Sequence, residues 1–277
     1  MIQRATDADV PEIEGFLSSR AHQSMFPLSN LWTYGLDGGD AFAPSMWFRR
    51  DGEAISDVLT ITRSGMVMPQ CPTAPILDPL ADRGLIGVIG PADQAGALRR
   101  AAGLMDVPAT LDRVEPHFLL NLADLKVPDV EGEVIPFADA PKDMMIDWQI
   151  RYDVEALGAT YEDAKSRALD VYDRRIAQSS HMVLVRNGEC VSKAGLNAQL
   201  ANIVQVGGVY TPPELRGQGL AKRVVALMLE QARARGVEQA TLFAASDVAA
   251  RAYIAIGFER VGDWNLTLFK GEQFARF

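Results

Sequence analysis

The stretch Val206-Gly207-Gly208-Val209-Tyr210-Thr211-Pro212-Pro213-Glu214-Leu215-Arg216-Gly217-Gln218-Gly219-Leu220-Ala221 decides how this chain is read. A short apolar strand over 203–210 meets a Pro-Pro turn. Arg216, two glycines one residue apart and a helix opening near Leu220 follow. A glycine-rich turn into a helix leaves several backbone N–H groups without intrahelical partners, all pointing one way. With the positive end of the helix dipole they form an anion site. Gly217 and Gly219 suit this, because glycine tolerates positive φ and lets a ligand approach the backbone. The stretch reads as a pyrophosphate cradle.

The spacing narrows which pyrophosphate. A nucleoside-triphosphate loop needs G-x-x-x-x-G-K-[ST], and no Lys-Ser or Lys-Thr follows Gly219. A dinucleotide fold needs G-x-G-x-x-G, and Lys222 breaks that pattern at its last position. What remains, Arg216-Gly217-Gln218-Gly219-Leu220-Ala221, fits R/Q-x-x-G-x-G/A. It resembles the acyl-CoA-binding loop of the GNAT superfamily of N-acetyltransferases. Downstream, 246–258 reads S-D-V-A-A-R-A-Y-I-A-I-G-F. This is similar to a second GNAT signature, N-x-x-A-x-x-x-Y-x-x-x-G-F. Ala249, Tyr253, Gly257 and Phe258 match it, while Ser246 stands where the family usually has Asn. Ser is also a competent helix N-cap, so the geometry is kept. Two signatures in the right order, separated by a helix and a strand, are far more specific than either alone.

The chain has 277 residues, enough for one large domain or two ordinary ones. It is 48% hydrophobic and 23% charged, as soluble globular proteins are. A formal net charge of −9 argues against a nucleic-acid surface, which needs clustered Lys and Arg. No apolar run has the length of a membrane span, and the first residues lack the apolar core of a signal peptide. Cys71 and Cys190 stand far apart without a CxxC or clustered His. The expectation is a reduced, cytoplasmic chain with no metal site.

At the front, 2–6 reads as a strand and 7–20 as a helix capped by Asp7 or Asp9, with Pro11 in its first turn. Val10, Ile13, Phe16 and Leu17 share one face at helical spacing. Further strands are expected at 43–49, 54–62 and 85–89. The proline-punctuated 65–79 reads as turn and loop. Gly90-Pro91-Ala92-Asp93 leads into a helix over 94–103, an arrangement comparable with the cradle but lacking its Arg. Val134–Ala140 resembles Ile2–Ala8 as a strand passing into a helix. We read the chain as two copies of one unit, the first of which has lost its phosphate turn. Trp32, Trp47, Met66 and Met68 read as core residues of that first copy.

The acidic segment 125–133 reads as the linker, dividing an N-terminal domain (1–126) from a C-terminal one (127–277). After it come helices at 139–157 and 164–175, the latter with Leu169, Tyr172 and Ile176 inward. Strands at 181–186 and 189–196 flank Asn187-Gly188, the strongest short hairpin signal. A strand at 201–210, a helix ended by Gly236, a strand at 237–244, a helix at 247–256 and strands at 258–261 and 264–269 complete the order. The fold class implied by the resemblance is α/β (α+β). It comprises two GNAT-like lobes, each a mixed, mostly antiparallel sheet flanked by helices, with a degenerate N-terminal lobe. Splayed central strands are expected in the catalytic C-terminal lobe.

The resemblance also implies chemistry. Strands 201–210 and 237–244 would part, freeing backbone groups at Val209, Tyr210 and Thr211 for the pantetheine arm of acetyl-CoA. An N–H near Val209 would stabilise the oxyanion as an amine attacks directly. Gly217, Gln218, Gly219, Leu220 and Ala221 would offer amides to the pyrophosphate. Arg216 or Lys222 would lie near another phosphate, and Ser246 completes the cofactor-binding set. Tyr253 is the candidate proton donor to the departing sulfur; its phenol is a weaker acid than the thiol, so the transfer is unfavourable but not prohibitively so. No base is evident: Gln205 can position a water, whereas Glu214, Asp153, Glu155, Tyr152 and the three histidines read as structure or surface. The leading function is acetyl transfer from acetyl-CoA to a primary amine of a small molecule or peptide, with no nucleic acid or membrane partner. A homodimer is left open. A non-catalytic acyl-CoA sensor and a scaffold whose loop is merely a turn are the alternatives.

Overall fold

The computed structural model describes residues 1–277. The chain divides into two compact units, one formed by Met1–Glu115 with Gly262–Phe277, the other by Pro116–Val261. Both carry a mixed, mostly antiparallel sheet with helices, as the fold class requires.

The first unit runs β1 (Ile2–Arg4), α1 (Val10–Ser18), α2 (Ala21–Tyr34), β2 (Pro44–Asp51), β3 (Ala54–Thr62), β4 (Met66–Gln70), β5 (Leu85–Pro91) and α3 (Ala92–Ala101). Thr6 and Asp9 bond reciprocally around the short turn before α1, and Pro11 occupies the first turn of that helix. Ile13 and Leu17 bury the expected face. The strand order is β1-β2-β3-β4-β5, followed by β12 (Glu259–Gln273). Its core gathers Trp47, Leu59, Ile61, Val67, Val88, Leu98 and Phe269.

Several expectations for this unit are corrected. Segment 65–79 contains β4, because Val67 and Met68 are buried and pair with β3. Proline punctuation was the wrong guide there: β4 pairs with β5 only at Met66 and Val67, so Pro69 lies past that ladder. Helix α2 had no forecast, since Pro27 sits inside it, buried beside Met25, Leu28 and Leu31. Trp32 is half exposed, its indole N–H donating to Glu14 Oε1 at 2.6 Å.

The second unit runs from the distal part of β6 (Ala109–Asn121) through β7 (Glu133–Pro136), α4 (Lys142–Leu157), α5 (Tyr161–Gln178), β8 (His181–Arg186), β9 (Glu189–Gln199), β10 (Ile203–Tyr210), α6 (Leu220–Ala234), β11 (Gln239–Phe243) and α7 (Asp247–Ile254). Its strand order is β6-β11-β10-β9-β8-β7. Only β10 and β11 are parallel. Asn187 and Gly188 take φ of 56° and 82°, the hairpin geometry their dipeptide predicts. The apolar face of α6 (Leu220, Val224, Val225, Met228, Leu229) packs in one cluster with Val206, Ala240, Leu242, Tyr253 and Phe258. Leu169 on α5 is half exposed instead of inward, while Ala164, Ala168 and Tyr172 form the buried face.

The two compact units divide the chain at 115/116 and 261/262, not at 126/127. Residues 117–121 pair with β11, so the second unit begins at Pro116. From Gly262 the last strand pairs with β5 and belongs to the first unit. The two strands expected at 258–261 and 264–269 are one, β12. The acidic segment 125–133 is irregular but lies within the second unit, held by Lys126 N–H to Ile256 O and Arg223 to Pro128 O. Composition reveals loop character; it does not reveal which sheet adopts the flanking strands.

The internal repeat takes a different alignment from the one expected. In each unit a central strand is followed by a parallel neighbour and then a helix: β4, β5, α3 in the first and β10, β11, α7 in the second. The counterpart of the cradle is therefore the connection 71–84, which has no α-helix, and not the turn at Gly90.

Candidate functional site

Strands β10 and β11 pair in parallel only at Ile203–Gln239, Val204–Ala240 and Gln205–Thr241. Beyond Gln205 they are no longer paired, although β10 continues to Tyr210. On its other side β10 is irregular against β9, with register shifts at Gln205/Val206 and between Gly207 and Tyr210. Gly208 is the bulged residue, with φ of +60°. Such bulges sharpen twist and re-aim neighbouring groups. Val209, just after it, is partly buried against the apolar cluster. The expected opening between the central strands is present.

The loop after β10 leads into α6 with Gly217 and Gly219 at φ of +79° and +77°. Gly219 is the N-cap, and the first helical bond is from Arg223 N–H to Gly219 O. The amides of Gly219, Leu220, Ala221 and Lys222 consequently have no intrahelical acceptor and face out along the helix axis. Gln218 is exposed, its Oε1 accepting from Arg186 at 2.8 Å. Lys222 is half buried and its stem lies beside Gly219.

Arg216 is engaged elsewhere. Its guanidinium grips Glu155 of α4 with both nitrogens at 2.7 Å, and its Nε donates to Thr211 O at 3.0 Å. Thr211 O is thus occupied, contrary to the expectation of a free carbonyl. Tyr210 O accepts from Ser192 Oγ at 3.0 Å, and the Tyr210 ring packs against Trp148. Ser246 caps α7 by accepting from Ala249 N–H at 3.2 Å, as its identity suggests. Tyr253 is buried in the apolar cluster, edge-on to the Phe258 ring. Gln205 is buried with its amide donating to Val206 O, turned toward the strand itself.

A polar cluster that sequence reasoning missed lies under the bulge. Lys193 of β9 is fully buried, its Nζ donating to Gln149 Oε1 at 2.9 Å and lying over the Tyr152 ring. Arg175 of α5 donates to the same Oε1. Gln149 Nε2 donates to Asp153 Oδ1 at 2.6 Å. His181 is buried, its Nδ1 bonded to Ser180 Oγ and its Nε2 without a partner. Burial, then the nearby Arg175, push the Lys193 amine well below its usual range; burial, Arg175 and Lys193 do the same to His181. Burial raises the Asp153 carboxyl, opposed by Arg175 and the other neighbouring cations. One signal was available in the sequence: Lys193 is a lone charge within Cys190-Val191-Ser192-Lys193-Ala194-Gly195-Leu196, mid-strand.

Open central strands, a bulge and a glycine cradle at a helix N-terminus define an acyltransferase-type scaffold. Residues 143–258 match the model of the acetyltransferase (GNAT) family, so this segment of the chain is similar to that family. Solved structures are similar in fold. A GCN5-related N-acetyltransferase from Kribbella flavida is similar at 17% identity and TM-score 0.57, with 91% of this chain and 95% of that one covered. One from Sphaerobacter thermophilus is similar at 15% and 0.56, covering 96% and 94%. A tandem GNAT protein from the clavulanic acid biosynthesis pathway is similar at 16% and 0.54, covering 96% and 97%. At these identities the likeness is one of fold. No curated protein matches the chain in sequence. No helix is long and apolar enough to cross a membrane.

Proposed function

We propose that the chain transfers an acetyl group from acetyl-CoA to a primary amine. The observation that carries this reading is the conjunction at the end of β10: strands that part after Gln205, then a loop whose two glycines hold positive φ at the N-terminus of α6. The amides from Gly217 to Lys222 hold the pyrophosphate, and helix-dipole charge adds to their hydrogen bonds. The open side of β10 near Val209 holds the pantetheine as a further strand would be held. Its N–H polarises the thioester carbonyl and stabilises the oxyanion.

The amine nitrogen attacks the carbonyl carbon directly. A C–N bond forms, the C–S bond breaks, the amine passes a proton to water, and Tyr253 protonates the leaving sulfur and regains its proton from water. Thiolate is already a fair leaving group, so the demand on Tyr253 is modest. Arg216 serves by fixing Thr211 and Glu155, leaving Lys222, whose stem lies beside Gly219, and Arg186, bonded to Gln218, as the cations beside the cradle. Calorimetric titration with acetyl-CoA and a thiol-release assay over a broad amine panel test this reading. Binding with thiol release supports it, binding without release would indicate a sensor, and neither would leave only a scaffold.

A further inference from the structure

Resting on that reading, we propose that the cluster under the β10 bulge is a subsite for an anionic group on the acceptor. The substrate class is then an amine that carries a carboxylate or phosphate a few bonds from its nitrogen, with Arg175 and Lys193 binding the anion. The two basic side chains come from different elements, α5 and β9, and both donate to one neutral oxygen, Gln149 Oε1. The carboxylate in the group, Asp153, accepts from Gln149 Nε2, not from either cation. Arg175 and Lys193 outnumber Asp153, in a chain whose formal net charge is −9. Basic groups that share a single amide oxygen in a buried setting are incompletely matched: an arriving anion would pair with the Arg175 guanidinium and favour the protonated form of Lys193, whose amine burial and Arg175 otherwise push down.

His181 gives an independent indication that something polar enters here. Its Nε2 is buried without a partner, a costly state for either tautomer. A Cβ placed on Gly208 would lie 2.9 Å from that nitrogen and 3.6 Å from Arg175 Nη2. The orphan atom and the guanidinium therefore border the same point, at the bulge, one residue before Val209. On the proposed reading the acetyl carbonyl lies at Val209, so an anion held by Arg175 sits within a small molecule's span of the reacting amine.

Matched acceptors test this: free L-amino acids against their amides, and 2-aminoethyl phosphate against ethanolamine, each with acetyl-CoA and thiol release as readout. We expect the anionic member of at least one kind of pair to show kcat/KM about tenfold or more above its neutral partner, mainly through KM. The two kinds of pair separate carboxylate from phosphate. In Arg175→Gln and in Lys193→Met that ratio should fall toward one, with acetyl-CoA affinity measured alongside. The wild-type ratios need no variant to fold. Turnover without preference for either anion overturns the subsite, as does acetyl-CoA binding with no anionic acceptor consumed. Failure to bind acetyl-CoA would instead strike the underlying reading, and this one with it.

Discussion

Gly208 and His181 are fitted to each other: at φ of +60° the glycine leaves room for an imidazole nitrogen that would lie 2.9 Å from any Cβ at that position. A side chain here meets two obstacles, backbone strain and the buried ring. Gly208→Ala is expected to lower stability by about 1–2 kcal/mol from the left-handed backbone alone. It should also displace His181 and reduce thiol release. Urea unfolding and steady-state kinetics check both, and an unperturbed variant would mean that the bulge tolerates side chains.

The cradle makes a separate prediction. Gly219 has φ of +77°, and a Cβ there meets Lys222 Cε at 3.0 Å and Val130 Cγ2 at 3.3 Å. Gly219→Val should raise the acetyl-CoA dissociation constant about tenfold or more, equivalent to about 1.4 kcal/mol. Calorimetry reads this directly. Retained affinity would place the pyrophosphate elsewhere.

Tyr253→Phe keeps the ring edge against Phe258 and removes only the hydroxyl. We expect kcat to fall about a hundredfold, the low end for general acid catalysis, with acetyl-CoA binding unchanged. Full turnover at saturating substrates would remove Tyr253 from the chemistry.

The buried imidazole predicts a pH dependence. Burial, with Arg175 and Lys193 adding to it, lowers the His181 pKa below 6.5 in the folded state. Between that lowered value and 6.5 the unfolded chain binds the extra proton. The stability due to neutral His181 is therefore complete above 6.5 and is lost as pH falls through the folded pKa. Lys193 shifts in the same sense, but its window starts from 10.5. Wild-type melting temperature should thus drop more steeply than that of His181→Asn below about pH 6.5. Parallel profiles for the two proteins would contradict a neutral buried imidazole.

In the first unit, Arg99 holds the last strand in place. Only 4% exposed, it forks onto Asp112 at 2.7 and 2.8 Å and reaches Asn265 Oδ1 at 3.3 Å. Arg99→Met should cost about 2 kcal/mol, less than breaking a wholly buried pair, because Asp112 retains contact with water. Denaturant titration measures it. A negligible change would show that the strand is held by its backbone ladder and apolar contacts alone.

The family and the cradle were legible because they rest on local chemistry. Gly217 and Gly219 are read as positive-φ positions from their identity, Ser246 as a cap from its hydroxyl, and Asn187-Gly188 as a hairpin from its dipeptide. Each property acts within a few residues along the chain, so linear sequence suffices to state it. The polar cluster was not legible, because Gln149, Arg175, His181 and Lys193 lie on four different elements and only the packing of α4 and α5 against β8 and β9 joins them. The adoption of 262–273 by the first unit escaped for the same reason: strand pairing is a contact between distant segments, and an alternating pattern names a face without naming its neighbour. Sequence alone thus pointed to the family that residues 143–258 match and to the positive-φ glycine turn before α6. Tertiary structure alone decided where each sheet takes its last strand and which charges meet beneath the bulge, since burial and pairing depend on neighbours brought from far along the chain.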